Sequence, residues 1–365
     1  MSGISSQAGN SNFPLFNSLT EFNHEQVVVC NDNSTGLKAI IAVHNTVLGP
    51  GLGGTRFWVY NNEQEAMNDA LRLSRGMTYK ASISGLNLGG AKAVIVADKN
   101  TKKTEAFMRK FGRFVENLNG KYITAEDVGT TTKDMEYIAM ETDHVVGMPE
   151  NMGGGGDPSP VTAYGVYMGM KASAKKAYGS DSLAGKSVTV QGVGKVGYYL
   201  VELLVKDGAK VFITDINEQN LKHSVALGGE VISPNDVYSK KVDIFAPCAL
   251  GAILNSETIP QLNCSIVCGS ANNQLKEDVL HGDMLRDKGV LYAPDFLVNA
   301  GGLINVYSEY TGYVRERAMA QTEHIYDLTL DIFHKSEEEK INTQLAATKI
   351  AEERIHNVML VKSTY

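Results

Sequence analysis

The sequence predicts an α/β protein of two domains joined by a hinge, and three observations point that way. Residues 187–191 (SVTVQ) have the apolar density of a buried strand, GVGKVG at 192–197 makes a tight glycine turn, and a helix pattern follows before a second apolar run at 209–214 ends at Asp215. That strand, turn, helix and strand form a unit suited to a dinucleotide, so the second domain is expected to be of the Rossmann type. Upstream, residues 26–127 alternate strand-like and helix-like stretches, the pattern of a separate α/β domain with some mixed strand direction. Between them, 147–160 holds four consecutive glycines and three prolines, the composition of a hinge. The expected domains are 1–150 and 151–329, with 330–365 packing back on the first.

Within the glycine turn each position has its own reason. Gly192 permits the turn, Gly194 lets the backbone approach a pyrophosphate, and Gly197 lets helix and strand pack closely. The helix that opens at Lys195 and Val196 offers unpaired N–H groups and a positive dipole end to the phosphates. Asp215, ending the next strand, can accept hydrogen bonds from both ribose hydroxyls and would repel a 2′-phosphate, so the expected cofactor is NAD rather than NADP.

At 365 residues the chain exceeds a typical single core, which supports the two-domain division. A formal net charge of −7 argues against a nonspecific nucleic-acid surface. No basic-then-apolar leader and no run of about 18 apolar residues is present, so neither secretion nor membrane insertion is expected, and the location is read as cytoplasmic. Cys30, Cys248, Cys264 and Cys268 are too irregularly spaced for a disulfide framework. The Cys264/Cys268 pair lacks a second ligand pair and sits in a strand-like run, so no metal is expected and all four read as free thiols.

In chain order, residues 1–17 are rich in Ser, Asn and Gly and read as a mobile start. Runs at 26–30 and 37–43 flank an Asn/Gly turn and form a hairpin, with a third strand around 55–60 after Gly53 and Gly54. A helix over 62–77 places Ala66, Ala70, Leu73 and Met77 on one stripe and delivers the chain to Lys80. The glycine-rich loop 85–92 carries Lys92 and feeds a strand at 93–97. A helix over 104–118 turns Phe107, Phe111, Phe114 and Leu118 to the core, and a strand at 122–124 leads into Ala125-Glu126-Asp127. After the hinge comes a helix over 161–177, then the nucleotide unit. Further strands at 242–246, 265–268 and 290–292 end in turns at 247–251, 269–273 and 293–296. Ligands of open α/β sheets bind outside the carboxyl ends of strands, so these turns, Ala249 and Asn273 among them, should line the cofactor cleft. From Tyr307 onward the pattern is helical, the charge run 335–340 reads as a solvated helix end, and the closing helix at 344–360 can cross back to the first domain.

Taken singly, Lys80 and Lys92 read as solvated surface amines. Two lysines placed by glycines, an aspartate at a strand end and a dinucleotide unit behind them suit the oxidation of an amine. Hydride leaves a substrate Cα only when the adjacent nitrogen is neutral, and the resulting iminium needs an activated water. Desolvation and a neighbouring positive charge can push one lysine toward neutrality as a base while the other stays charged and anchors a carboxylate.

The segments GPGLGGTR at 49–56, GMTYK at 76–80, GLNLGGAK at 85–92, TAEDVG at 124–129 and NAGG at 299–302 together resemble the glutamate/leucine/phenylalanine/valine dehydrogenases, over residues 21–356 and closest to the leucine branch. The resemblance implies reversible hydride transfer between an L-amino acid and NAD, with release of ammonia and a 2-oxo acid. By the same resemblance Lys80 holds the substrate carboxylate, Lys92 is the catalytic lysine acting on water and the amine, and Asp127 exchanges protons with the substrate nitrogen. Asn273 is similar to an asparagine touching substrate carboxylate and cofactor, Gly53 and Gly54 to backbone bordering the substrate, Thr162 to the threonine that orients the nicotinamide amide, and Asn299 to a second cofactor contact. Leu52, Ala125, Leu303 and Val306 are the implied lining for the substrate side chain, and none offers a charge for a second carboxylate.

Where the phenylalanine branch tends to have proline this chain has Ala125, which favours branched-chain aliphatic substrates. Leu303 departs from the valine of many leucine enzymes, and Gly197 from their frequent alanine. The family forms homo-oligomers through the first domain and the C-terminal region. The alternatives are an enzyme for phenylalanine or another hydrophobic amino acid, and a catalytically silent NAD-binding regulator.

Overall fold

The valine- and isoleucine-rich runs near the start pair as the expected hairpin. In the computed structural model, which describes residues 15–362, helix α1 (Leu15–Phe22) precedes strands β1 (Gln26–Asp32) and β2 (Leu37–Asn45), antiparallel neighbours around Gly36. The start expected to be mobile lies outside the described residues except for its end, which opens α1. Then come β3 (Gly51–Val59), α2 (Glu63–Ile83), β4 (Gly89–Ala97), α3 (Glu105–Glu116), β5 (Tyr122–Glu126) and α4 (Thr132–Ala139). The sheet order is β1-β2-β4-β3-β5; β2 runs antiparallel to β1 and β4, while β3 is parallel to β4 and β5, the mixed direction expected.

Three expectations are corrected in this half. The third strand, expected from about 55, already begins at Gly51, and the expected loop 85–92 gives way to β4 at Gly89, so Gly51 to Gly54, Gly89-Gly90 and Lys92 are strand residues. These glycines serve close packing: a Cβ on Gly53 would stand 1.8 Å from the Ala91 carbonyl oxygen, and one on Gly90 would stand 2.1 Å from the Thr78 nitrogen. Helix α2, capped by the Asn62 side chain accepting from the Glu65 N–H at 2.8 Å, runs past 77 to Ile83. Its extension is held because Ala81, Ser82 and Ile83 are buried and Ser82 Oγ donates to the Ala351 carbonyl at 2.7 Å. Lys80 therefore sits in the last helical turn rather than after the helix.

Helix α5 (Ser159–Tyr178) leads into β6 (Ser187–Gln191), α6 (Lys195–Lys206), β7 (Lys210–Thr214), α7 (Glu218–Ala226), β8 (Glu230–Val231), β9 (Ile244–Pro247), β10 (Ile266–Val267), α8 (Asp278–Asp287) and β11 (Leu291–Tyr292). All six strands are parallel in the order β11-β10-β9-β6-β7-β8. Chain order reverses beside β6, so the turn after it opens on the crevice where such sheets bind ligands. The segment 293–296, expected as a turn, instead enters helix α9 (Asp295–Val298).

Helices α10 (Gly301–Tyr310), α11 (Arg315–Glu323), α12 (Ile325–Glu339) and α13 (Thr343–Lys362) close the chain. As expected, α13 returns to the first half: Arg354 Nη1 donates to the carbonyls of Ser82 at 3.1 Å and Leu86 at 2.7 Å. Ala346, Ala347 and Ala351 of α13 share one apolar cluster with Leu52, Ala81, Ile123 and Ala125 and with the core of the parallel sheet. The charge run ends α12 at the surface, where Lys335 pairs with Glu339 and Glu353 at 3.0 and 2.7 Å. Among the described residues no helix is long and apolar enough to cross a membrane, and the four cysteines are free.

Candidate active site

Side chains alternate faces along a strand, and three strands turn matching positions toward α2. On β4, Val94 packs with Ala66, Ala70 and Leu71 of α2, whereas Ala91, Ala93 and Ile95 pack with Phe107 and Phe111 of α3. Gly90 and Lys92 share the phase of Val94, Leu52, Gly54 and Arg56 follow the same period on β3, and Ile123, Ala125 and Asp127 follow it on and after β5. The registers Leu52↔Gly90, Leu52↔Ile123 and Gly54↔Ala125 set these positions side by side. A Cβ on Gly54 would stand 2.3 Å from the Glu126 carbonyl oxygen, so glycine there lets β5 bring Asp127 in. The result is one wall of a cavity of about 760 Å³ that lies between the two sheets.

Leu52, Gly54, Lys80, Lys92, Ala125, Asp127, Lys195, Asn273, Leu303 and Val306 all border this cavity, so ten of the expected positions converge. Gly53 lies beside it in β3. Lys92 is buried, with Nζ 3.1 Å from Asp127 Oδ1, and Arg56 Nε lies 2.9 Å from Asp127 Oδ2. Burial pushes the Lys92 amine below its ordinary value, and the Asp127 charge only partly opposes that. Burial alone would raise Asp127, but Lys92 and Arg56 outweigh it and hold the carboxyl below the usual range. Desolvation brings Lys80 down to about 8, with Asp295 and Asp127 opposing and Lys92 adding to the fall. Both amines are thus depressed, but a value of about 8 leaves Lys80 charged at neutral pH, as an anchor for a carboxylate requires.

From the other side, Asn273 sits in the left-handed region at φ 51, its N–H held by Asp295 Oδ2 at 2.6 Å, while Asp295 Oδ1 accepts the Tyr292 hydroxyl at 2.8 Å. Asn299 is buried, gives its amide hydrogens to Ser270 O and Asn272 Oδ1, and leaves Oδ1 buried without a partner. An orphaned acceptor of that kind suits an amide N–H from a ligand. Thr162 Oγ1 donates to Pro158 O at 2.9 Å and stands where a Cβ on the cavity-lining Gly302 would meet it.

Gly192 has φ 94, and a Cβ on it would lie 2.6 Å from the Ala249 Cβ. Beside it the N-terminus of α6 has no side-chain cap, and nothing lies within 4 Å of where a Gly194 Cβ would be. Gly197 packs so closely that its Cβ would stand 2.1 Å from the Gly192 carbonyl oxygen. Asp215 Oδ2 accepts the Val193 N–H at 2.8 Å, tying the turn to the strand end. Open N–H groups, a carboxylate at the strand end and the orphaned Asn299 acceptor fit a dinucleotide laid across the crevice. No cluster of His, Cys, Asp or Glu that could hold a metal occurs among the described residues.

Arg56, Asp69 and Asp295 are site residues that sequence reasoning did not single out. Arg56 had a signal, since it continues the two-residue phase of Leu52 and Gly54. Asp295 lay within the segment 293–296 expected to line the cleft, whereas Asp69 on α2 had no signal, because it meets Arg56 only through the fold.

The family model described as Glu/Leu/Phe/Val dehydrogenase, dimerisation domain, matches residues 24–144, and that described as Glutamate/Leucine/Phenylalanine/Valine dehydrogenase matches 153–219 and 212–362. The chain is 54% identical over 352 residues to a leucine dehydrogenase of Geobacillus stearothermophilus, covering 96% of each. It is 49% identical over 339 residues to a phenylalanine dehydrogenase of Lysinibacillus sphaericus, covering 91% of this chain and 89% of that one. The crystal structure of L-tryptophan dehydrogenase from Nostoc punctiforme superposes with a TM-score of 0.85 at 46% identity, covering 94% of this chain and 99% of that one.

Proposed function

The chain belongs to the glutamate/leucine/phenylalanine/valine dehydrogenase family and is an amino-acid dehydrogenase, and from that premise we propose that it acts on branched-chain L-amino acids, leucine with valine and isoleucine, using NAD. The reaction is reversible: amino acid, NAD⁺ and water give 2-oxo acid, ammonium, NADH and a proton. The aliphatic wall of Leu52, Ala125, Leu303 and Val306 carries the substrate assignment. Leu52, Ala125 and Leu303 are buried, so the second carboxylate of glutamate would be desolvated against them without a partner, at roughly several kcal/mol.

In this reading the backbone of Gly192 and Gly194 and the first N–H groups of α6, at Lys195 and Val196, hold the pyrophosphate, with Gly197 and Ala249 backing the turn. Asp215 takes the ribose hydroxyls and repels a 2′-phosphate; Thr162 and Asn299 take the carboxamide end. Bound there, the nicotinamide supplies a hydride acceptor. The Lys80 ammonium and the Asn273 side chain hold the α-carboxylate, and the backbone of Gly53 and Gly54 forms the floor. Asp127 accepts a proton from the substrate ammonium, so the nitrogen lone pair can drive Cα–H cleavage. Lys92, whose amine burial depresses, takes a proton from the water whose oxygen adds to the iminium carbon; Asp127 returns its proton to the carbinolamine nitrogen, and as the C–N bond breaks the hydroxyl proton passes to the leaving ammonia, giving the 2-oxo acid and ammonium, while Lys92 releases the remaining proton. The same reading includes a homo-oligomer built through the first domain, whose edge strand β1 exposes Val29.

The test is a steady-state comparison of kcat/KM for leucine, valine, isoleucine, phenylalanine and tryptophan, read by reduced-nicotinamide absorbance without added metal. An aliphatic substrate is expected to lead. A lead by an aromatic one overturns the specificity, and NAD binding without turnover points to the silent regulator.

A further inference from the structure

Each oxygen of Asp127 is held by a different basic side chain, Lys92 Nζ at 3.1 Å on Oδ1 and Arg56 Nε at 2.9 Å on Oδ2. The other arm of that guanidinium, Nη1, lies 2.8 Å from Asp69 Oδ2, which also accepts the Tyr60 hydroxyl at 2.8 Å, while Arg72 Nη2 reaches Asp69 Oδ1 at 3.3 Å. Resting on the function read above, we propose that Arg56 is a positioning residue for the reaction: it fixes the Asp127 carboxylate against Lys92 and, in balance with Asp69, tunes this proton-exchanging pair.

The geometry is that of a planar fork spanning two carboxylates, a task a point charge does not reproduce. Arg56 borders the substrate cavity on one side and a second cavity of about 660 Å³ on the other, the latter shared with Trp58, Tyr60, Asp69 and Arg72. It therefore forms a thin charged partition and is not embedded in core. With Nε given to Asp127 and Nη1 to Asp69, the side chain transmits the charge state of α2 to the cleft.

The charged and titratable groups facing the pair come from every neighbouring element. Helix α2 presents Lys80, Asp69 and Arg72, β3 and its exit present Arg56 and Tyr60, β5 presents Tyr122 and Glu126, and Asp295 acts from the far wall through Lys80. Among these, Arg56 pushes Lys92 and Asp127 down, and Asp69 pushes Lys92 up. Removing Arg56 must therefore make both members of the pair hold protons more tightly, and removing the Asp69 charge must make Lys92 hold its proton less tightly.

The experiment is the pH profile of kcat/KM for L-leucine oxidation in the full-length protein, with melting temperature as a control for folding. In Arg56→Gln the rising limb should move to higher pH by roughly half to one unit, and in Asp69→Asn it should move to lower pH by a similar amount. Arg56→Lys, which keeps the charge and loses the fork, should return the limb toward wild type while kcat stays reduced. A merely structural salt bridge would lower stability and activity without shifts of opposite sign. Limbs that stay put, or move the same way in Arg56→Gln and Asp69→Asn, overturn the proposal. If Arg56→Gln does not fold, Asp69→Asn decides alone: a downward shift supports, and no shift or an upward one overturns. Absence of turnover in the wild-type protein overturns the reading of function itself, and this inference with it.

Discussion

Thr78 of α2 rests directly on Gly90 of β4, with the Thr78 nitrogen and hydroxyl oxygen 2.1 and 2.2 Å from where a Gly90 Cβ would be. This contact sets how closely α2 approaches β4, and Lys80 of α2 and Lys92 of β4 border the same cavity. Gly90→Ala should push α2 off the sheet at a cost of about 1–3 kcal/mol and raise KM. Denaturant midpoints together with steady-state kinetics measure both, and unchanged values would refute the packing argument.

Lys92→Ala should lower kcat by roughly 10²- to 10⁴-fold, the range for a lost general base, while NAD binding survives. Turnover within a few fold of wild type would remove Lys92 from its assigned role.

Lys80, brought down to about 8, should hold a 2-oxo acid carboxylate only while protonated. Free enzyme loses that proton as pH rises through about 8, so KM for the 2-oxo acid should climb above that pH. In Lys80→Ala the KM should be high throughout and flat in this range. A flat wild-type profile counts against the anchor.

His24 and His44 stack edge to face at 4.9 Å behind α2, and burial pushes them down to about 4 and about 3. The unfolded chain takes up these protons as pH falls through 6.5, whereas the folded chain resists until the lower values. Stability from this pair is therefore full above 6.5 and lost as pH falls toward 3. In His44→Gln the loss of unfolding free energy between about pH 7 and about pH 5 should be smaller than in wild type. Urea titrations at the two pH values supply the comparison; equal losses would contradict it.

Asp215→Ser should narrow the preference for NAD over NADP by on the order of tenfold, since a like charge facing the 2′-phosphate is removed. Comparing kcat/KM with the two cofactors tests it. Selectivity that does not change would place the ribose elsewhere.

Much of this protein was legible in its residues because the signals are local. GVGKVG between two apolar runs, with Asp215 at the second one's end, marked a strand, turn and helix that the fold reproduces, since each glycine answers to atoms a few residues away, such as Gly197 against the Gly192 carbonyl. The period-two strands and the aromatic stripe of α3 likewise carried their own burial pattern. The motifs around Lys80, Lys92 and Asp127 identified the family.

Other features depend on atoms distant in sequence. Gly53 and Gly90 look like loop glycines until Ala91 and Thr78 arrive beside them, and then only glycine fits inside the strands. The depression of both lysines, the reach of Arg56 from Asp127 to Asp69, and the hold of Asp295 on the Asn273 N–H arise from elements that meet only on folding. Local chain chemistry determined which strands, helices and turns form. Tertiary packing decided which charges face one another, because desolvation and Coulomb energies depend on distance through space.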